Sequence, residues 1–272
     1  MKKIILLIGS SGNMGMKHYR VLNKLKKKYD FDVYTCDNNY KKLANYMNYS
    51  IAIPEINPDY VIIATPTSTH KEIIDYCLRK KVKNIFVEKP ISDVIEGLSK
   101  YKDNTNLMVG HIERFNPIVK EIKNLINGKK IDTIICTRSG LKKIEDDFNV
   151  DIDLCIHDID VCQYILNQPL LGYNSKIINN SCNLWFETTG LSNSIIIHAD
   201  NKSLFKRRMI QIIGTDVFIE GDYINQTLTY NGKKVKIKKQ EPLKIELEHF
   251  LSRKYNNKEL RQAINNVKWL KS

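Results

Sequence analysis

Apolar and polar positions follow two regimes along this chain. Over the first ~115 residues, short and wholly apolar runs alternate with stretches of helical period. The apolar runs predict strands at residues 3–8, 32–36, 60–64, 84–87 and 107–110. Helical stretches follow the first run, to about residue 28, and the third, from Pro66-Thr67-Ser68 to about residue 80. Strands without polar alternation are buried on both faces. Helices between them supply the cover, so this region predicts a parallel sheet flanked by helices.

Farther on the pattern changes. A helix predicted at 152–166 has a strand-like run before it, at 131–139. Further runs follow at 182–188, 194–199, 209–213, 217–221, 227–230 and 235–237. Gly214-Thr215-Asp216 and Asn231-Gly232 are hairpin signals. This half predicts an α+β domain with a mostly antiparallel, open sheet, closed by helices at 243–254 and 257–270. The class is α/β, with a boundary near Phe115 to Pro117 and domains at 1–115 and 116–272. Helices on one side of such a sheet leave the other face to be buried, which predicts a homodimer or homotetramer.

Composition narrows the function classes. With 42% apolar and 27% charged residues the chain is neither disordered nor fibrous. The net charge is +13, yet only eight of the 43 basic residues are Arg, and Ile and Asn are abundant beside Lys. That bias is what an AT-rich coding sequence produces, so the charge reads as solvated surface rather than a nucleic-acid footprint. No apolar run approaches the ~18 residues of a membrane span. The opening apolar run, residues 4–8, enters a glycine-rich turn and reads as a strand rather than a leader. Cys36, Cys77, Cys136, Cys155, Cys162 and Cys182 form no CxxC pair. They predict neither a disulfide framework nor a metal site, and a reducing cytoplasm.

Two clusters carry chemistry. The first strand runs into Gly9-Ser10-Ser11-Gly12-Asn13-Met14-Gly15 and then a helix. Glycines let the backbone approach a pyrophosphate, and a helix N-terminus offers free N–H groups and a positive dipole end. Asp37 ends the second strand, 22 residues after Gly15 and close to the ~20 expected of a ribose-binding carboxylate. A carboxylate there accepts from ribose hydroxyls and repels a 2′-phosphate, so NAD is the expected cofactor, with Lys41 and Lys42 nearby as a counterweight.

The second cluster is a polar stripe of Asp153, His157, Asp160 and Tyr164 on one helical face, with Cys155, Ile159, Cys162 and Leu166 nearly opposite. Residues 144–175 hold no Lys or Arg, where the chain-wide frequency would place about five. A solvated face collects lysines; a concave face meeting substrate need not, so the stripe is expected to meet substrate. Histidine suits a general base, its unperturbed pKa of ~6.5 lying near working pH. Lys89 follows an apolar strand and precedes Pro90, at the strand end where open α/β sheets bind ligands.

Four stretches together resemble the glucose–fructose oxidoreductase / inositol dehydrogenase (Gfo/Idh/MocA) family. They are the glycine turn with Met14, Gly15 and His18; Ala64-Thr65-Pro66-Thr67-Ser68-Thr69-His70; Glu88-Lys89-Pro90; and the run from Asp153 through His157 to Asp160. The resemblance implies a Rossmann-type first domain and NAD(P)-dependent hydride transfer to or from a sugar secondary alcohol. It implies a cofactor site of Gly9, Gly12, Asn13, Met14, Gly15, Asp37, Thr65, Pro66, His70, Glu88 and Lys89. It also implies catalysis by Lys89, Asp153 and His157, and, in some members, a cis Lys89–Pro90 bond. Departures are Ser10 at the usual first glycine, a short chain, and no run of glycines before Asp153.

The stretch from Val109 to Pro117 is similar to the UDP-N-acetylglucosamine 3-dehydrogenases. That implies a nucleotide-sugar substrate met by Arg114 and Asn116 along with Lys89, Asp153 and His157, and an aminotransferase acting on the product. A free sugar, an inositol or a non-sugar carbonyl is the alternative substrate. A non-catalytic dinucleotide-binding protein is the alternative class.

Overall fold

The computed structural model describes residues 2–39, 44–141, 154–178, 181–188 and 191–271, in two compact units. The first contains the parallel sheet. Its strands are β1 (Lys3–Ile8), β2 (Phe31–Cys36), β3 (Tyr60–Ile63), β4 (Ile85–Glu88) and β5 (Leu107–Gly110), in the order β2-β1-β3-β4-β5. All neighbours are parallel, with Ile8 opposite both Cys36 and Ile63. The order reverses between β1 and β3, and a ligand crevice forms outside the strand C-termini at such a point. Helices α1 (Asn13–Leu25), α2 (Tyr49–Ile56) and α3 (His70–Arg79) make the crossovers. α2, with Pro54 inside it and no clear helical period, is absent from the sequence prediction.

The second unit begins at His111. A 3-10 turn, Ile112–Phe115, leads into α4 (Pro117–Leu125) and β6 (Ile131–Leu141). α5 (Ile156–Leu166) follows, and then β7 (Leu170–Ile178), β8 (Ser181–Thr188), β9 (Leu191–Ser203), β10 (Arg207–Gly214), β11 (Val217–Asp222), β12 (Thr227–Tyr230) and β13 (Lys233–Val235). They form an eight-stranded sheet, β13-β12-β11-β10-β6-β9-β8-β7, in which β6 and β9 are parallel and the other described pairs antiparallel. The β12–β13 turn is Asn231-Gly232, both at positive φ, as a twisted two-residue hairpin requires. One sheet face packs Ile134, Cys136, Ile195 and Ile210 against Ile118 and Ile122 of α4 and Ile159 and Cys162 of α5. Trp185, Ile213 and Phe218 remain exposed on the sheet.

The last helices, α6 (Pro242–Leu251) and α7 (Asn257–Lys271), correct the predicted division at 1–115 and 116–272. Residues 243–267 belong to the first unit. Phe250 packs edge-on to Tyr60 and Phe86, each 5.5 Å between centroids, and the Tyr60 hydroxyl donates to the Leu251 carbonyl. Leu260, Ala263, Ile264 and Val267 share a core with Leu6, Ile8 and Val61. The apolar period of α7 was visible in sequence; which sheet it covers was not.

Candidate functional site

The glycine turn is built by close approach. Gly9 lies at φ +82°, and a Cβ there would come 2.5 Å from the Ala64 carbonyl oxygen. A Cβ on Gly15 would collide with the Gly9 carbonyl. Gly12 differs: a Cβ would find only ordinary contacts. It caps α1 with no side-chain hydrogen bond, and no acidic residue lies in the first helical turn to complement the positive end of the helix. The Ser10 and Ser11 hydroxyls beside them are buried without a partner. An anionic, hydrogen-bonding ligand fits such a cradle.

Asp37 is fixed at its rim. Its Oδ2 accepts from the Ser11 N–H at 2.8 Å and its Oδ1 from the Asn39 N–H at 2.9 Å, leaving further lone pairs for a ligand hydroxyl. A cleft of about 820 Å³ opens here, at the C-terminal ends of β1, β2 and β3. Gly9, Gly12, Asp37, Thr65 and Pro66 of the expected cofactor set line it, with Met47, Tyr49 and Tyr76 extending it. Asn13, Met14, Gly15, His70, Glu88 and Lys89 are not part of that lining. Lys41 and Lys42 fall outside the described residues.

Glu88 and His70 are engaged elsewhere. Glu88 ends β4, its Oε1 2.6 Å from Nε2 of the fully buried His18 on α1. The following Lys89–Pro90 bond is cis. His70 opens α3, with Nδ1 2.8 Å from the Pro90 carbonyl oxygen and Nε2 2.9 Å from that of Thr65. Carbonyls only accept, so a singly protonated ring completes one of these bonds and an imidazolium both. Burial depresses the proton affinity of His70, against a smaller pull from the two carbonyls, and the net direction is down.

In the second unit the structure revises the polar stripe. α5 is buried nearly all round, so its acidic residues do not face water. Asp160 is held by Arg114, Nε to Oδ2 and Nη2 to Oδ1, both at 2.5 Å. Asp158 is held in the same two-point manner by Arg138, which also donates to Glu113 at 3.0 Å. Arg208 donates to the same Glu113 oxygen at 2.9 Å. Burial opposes the charge on Glu113, but the two guanidinium groups outweigh it and hold its carboxyl below the usual range. Along α5 the acids are buried, with counter-charges supplied by arginines outside the helix.

Arg114 and Asn116, the expected substrate contacts, have structural partners. Asn116 caps α4 by accepting from the Ile118 N–H, and its amide donates to the Tyr223 carbonyl at 3.0 Å. His157 is half-buried in the first turn of α5, and Asp153 lies outside the described residues. Sequence reasoning missed the partners: His18 for Glu88, and Glu113, Arg138 and Arg208 entirely. Among the described residues no group of three or more His, Cys, Asp or Glu could hold a metal ion, and no helix is long and apolar enough to cross a membrane.

Comparison with known proteins agrees with this geometry. Residues 3–108 match the family described as an oxidoreductase family with an NAD-binding Rossmann fold. The chain is 31% identical over 137 residues to scyllo-inositol 2-dehydrogenase (NAD(+)) of Bacillus subtilis, covering 45% of this chain and 40% of that protein. It is 22% identical over 219 residues to the UDP-N-acetylglucosamine 3-dehydrogenase of Acidithiobacillus ferrooxidans, covering 71% and 69%. A solved structure of that dehydrogenase superposes with a TM-score of 0.86 at 18% identity, covering 99% and 96%, which establishes likeness of fold. In sequence, the chain spans about two fifths of the length of the inositol dehydrogenase relatives. Over residues 3–108 the chain thus matches the Gfo/Idh/MocA oxidoreductases, whose model describes an NAD-binding Rossmann fold.

Proposed function

We propose that the protein is an NAD-dependent dehydrogenase moving a hydride between a sugar secondary alcohol and nicotinamide, with a UDP-linked N-acetylhexosamine oxidised at C3 as substrate. The observation that carries the reading is Asp37, tied to the Ser11 N–H at the rim of an uncapped helix N-terminus. NAD, when bound, supplies the hydride acceptor. The first turn of α1 holds its pyrophosphate, Asp37 its ribose, and Thr65 and Pro66 wall the cleft. Lys89 hydrogen-bonds the reacting hydroxyl, His157 takes its proton and Asp153 orients the imidazole. An aminotransferase draws the ketone away, and copies of the chain associate through the open sheet face. Six free, buried thiols suit a cytoplasmic setting.

A second reading, an inositol or free-sugar dehydrogenase, is favoured by the Arg114–Asp160 pair, which neutralises the arginine expected to meet the nucleotide sugar. One assay separates them: UDP-N-acetylglucosamine with NAD and a 3-aminotransferase, beside inositols and free sugars, read by mass spectrometry. Amino-sugar nucleotide supports the first reading. Turnover of an inositol or free sugar alone supports the second. No turnover of either, with no NADH bound, removes the dehydrogenase reading.

A further inference from the structure

Both neighbours of Lys89 meet buried histidines, Glu88 through its carboxylate and Pro90 through its backbone carbonyl. On one side, His18 reaches from α1 to Glu88, Nε2 to Oε1 at 2.6 Å. On the other, His70 on α3 has Nδ1 2.8 Å from the Pro90 carbonyl oxygen and Nε2 2.9 Å from that of Thr65, and the tautomer protonated at Nδ1 donates to Pro90. The His18 ring stands edge-on to Phe86, centroids 5.3 Å apart. Phe86 and Glu88 are two apart on β4, so they face the same side of the sheet, toward α1. Packing alone does not account for histidine at position 18: its Nδ1 is buried without a partner, a cost that leucine would avoid. What histidine adds there is the bond to Glu88.

The two helices involved also build the cofactor cleft. α1 starts at the glycine cradle, and α3 follows Thr65 and Pro66 after a 3-10 turn, Thr67–Thr69. We propose that His18 and His70 are positioning residues that hold the Lys89 backbone in fixed register with the cofactor cleft. Neither touches substrate; both act through Glu88 and Pro90. The proposal rests on the role given to Lys89 above, and displacement of a reacting group by about an ångström costs rate far more than it costs binding.

The test compares wild type with His18→Gln, which keeps an N–H donor, and with His18→Leu/Glu88→Met, which replaces the pair by apolar side chains and leaves no orphan charge. Three quantities are read: NADH affinity by fluorescence, kcat on the substrate found active, and the acylation rate of Lys89 by peptide mass spectrometry against exposed Lys26 and Lys83. The double variant is expected to fold, to bind NADH within about threefold of wild type, to lose roughly tenfold or more in kcat, and to change Lys89 acylation by about threefold or more. His18→Gln is expected to stay near wild type in all three, and His70→Leu to shift kcat and acylation. Unchanged kcat and acylation in the double variant, or no rescue by Gln, overturns the proposal. If wild type binds no NADH, the dehydrogenase reading fails, and Lys89 acylation alone still decides whether the grip exists.

Discussion

Arg138 and Asp158 form a two-point ion pair, Nε to Oδ2 and Nη2 to Oδ1 at 2.9 Å, with side chains only 1% and 2% exposed. Asp158 directly follows His157, so this pair anchors the helix that carries the proposed base. Removing one partner strands a charge in a buried site. Arg138→Met is expected to lower unfolding stability in urea by about 3–5 kcal/mol, and Arg138→Met/Asp158→Leu to recover much of it. A single variant within about 1 kcal/mol of wild type contradicts this view of the pair.

The two glycines of the turn make separable predictions. Gly15→Ala drives a Cβ into the Gly9 carbonyl, so both melting temperature and NADH affinity should fall. Gly12→Ala meets no such obstacle within the chain. It should leave the melting temperature nearly unchanged while weakening NADH binding by about tenfold, or 1.4 kcal/mol. Unchanged binding in Gly12→Ala places the pyrophosphate elsewhere.

His70 predicts a pH dependence. Burial lowers its folded pKa below the ordinary value of 6.5, so the unfolded chain binds the proton more readily. Stability is full above that ordinary value. It falls as pH drops from there through the folded pKa, then levels. Thermal melts from pH 7.5 to about 5 should therefore decline more steeply for wild type than for His70→Gln. Parallel curves would show that His70 does not titrate differently on folding.

His157→Ala should keep NADH affinity and lose roughly 10²–10⁴ in turnover, the loss expected when a general base is removed. Near-normal turnover would take His157 out of the mechanism.

Much of the fold was readable because buried parallel strands are apolar runs: β3 and β5 hold no charged residue, and β1 and β4 hold one each, at an end. α2 escaped because Tyr49–Ile56 has no polar face to set a period, and β7 because its residues do not alternate cleanly. The cradle and Asp37 were readable for a different reason. Strand, turn and helix N-terminus are contiguous in sequence, and Asp37 follows at a spacing set by one helix and one strand. The pairs were hidden. His18 and Glu88 are 70 residues apart, Arg114 and Asp160 46, and the choice of partner depends on which helix packs where. The lysine-free window did not reveal these pairs, since buried acids and a concave polar face leave the same local pattern.

The central claim is that the cleft beside Asp37 binds NAD, and one titration tests it most directly. NADH and NADPH are added separately to the purified protein and binding is followed by nicotinamide fluorescence. NADH is expected to bind at least about tenfold tighter than NADPH, with the preference shrinking in Asp37→Ala. Equal affinity, a preference for NADPH, or an Asp37→Ala variant with the wild-type preference would contradict it.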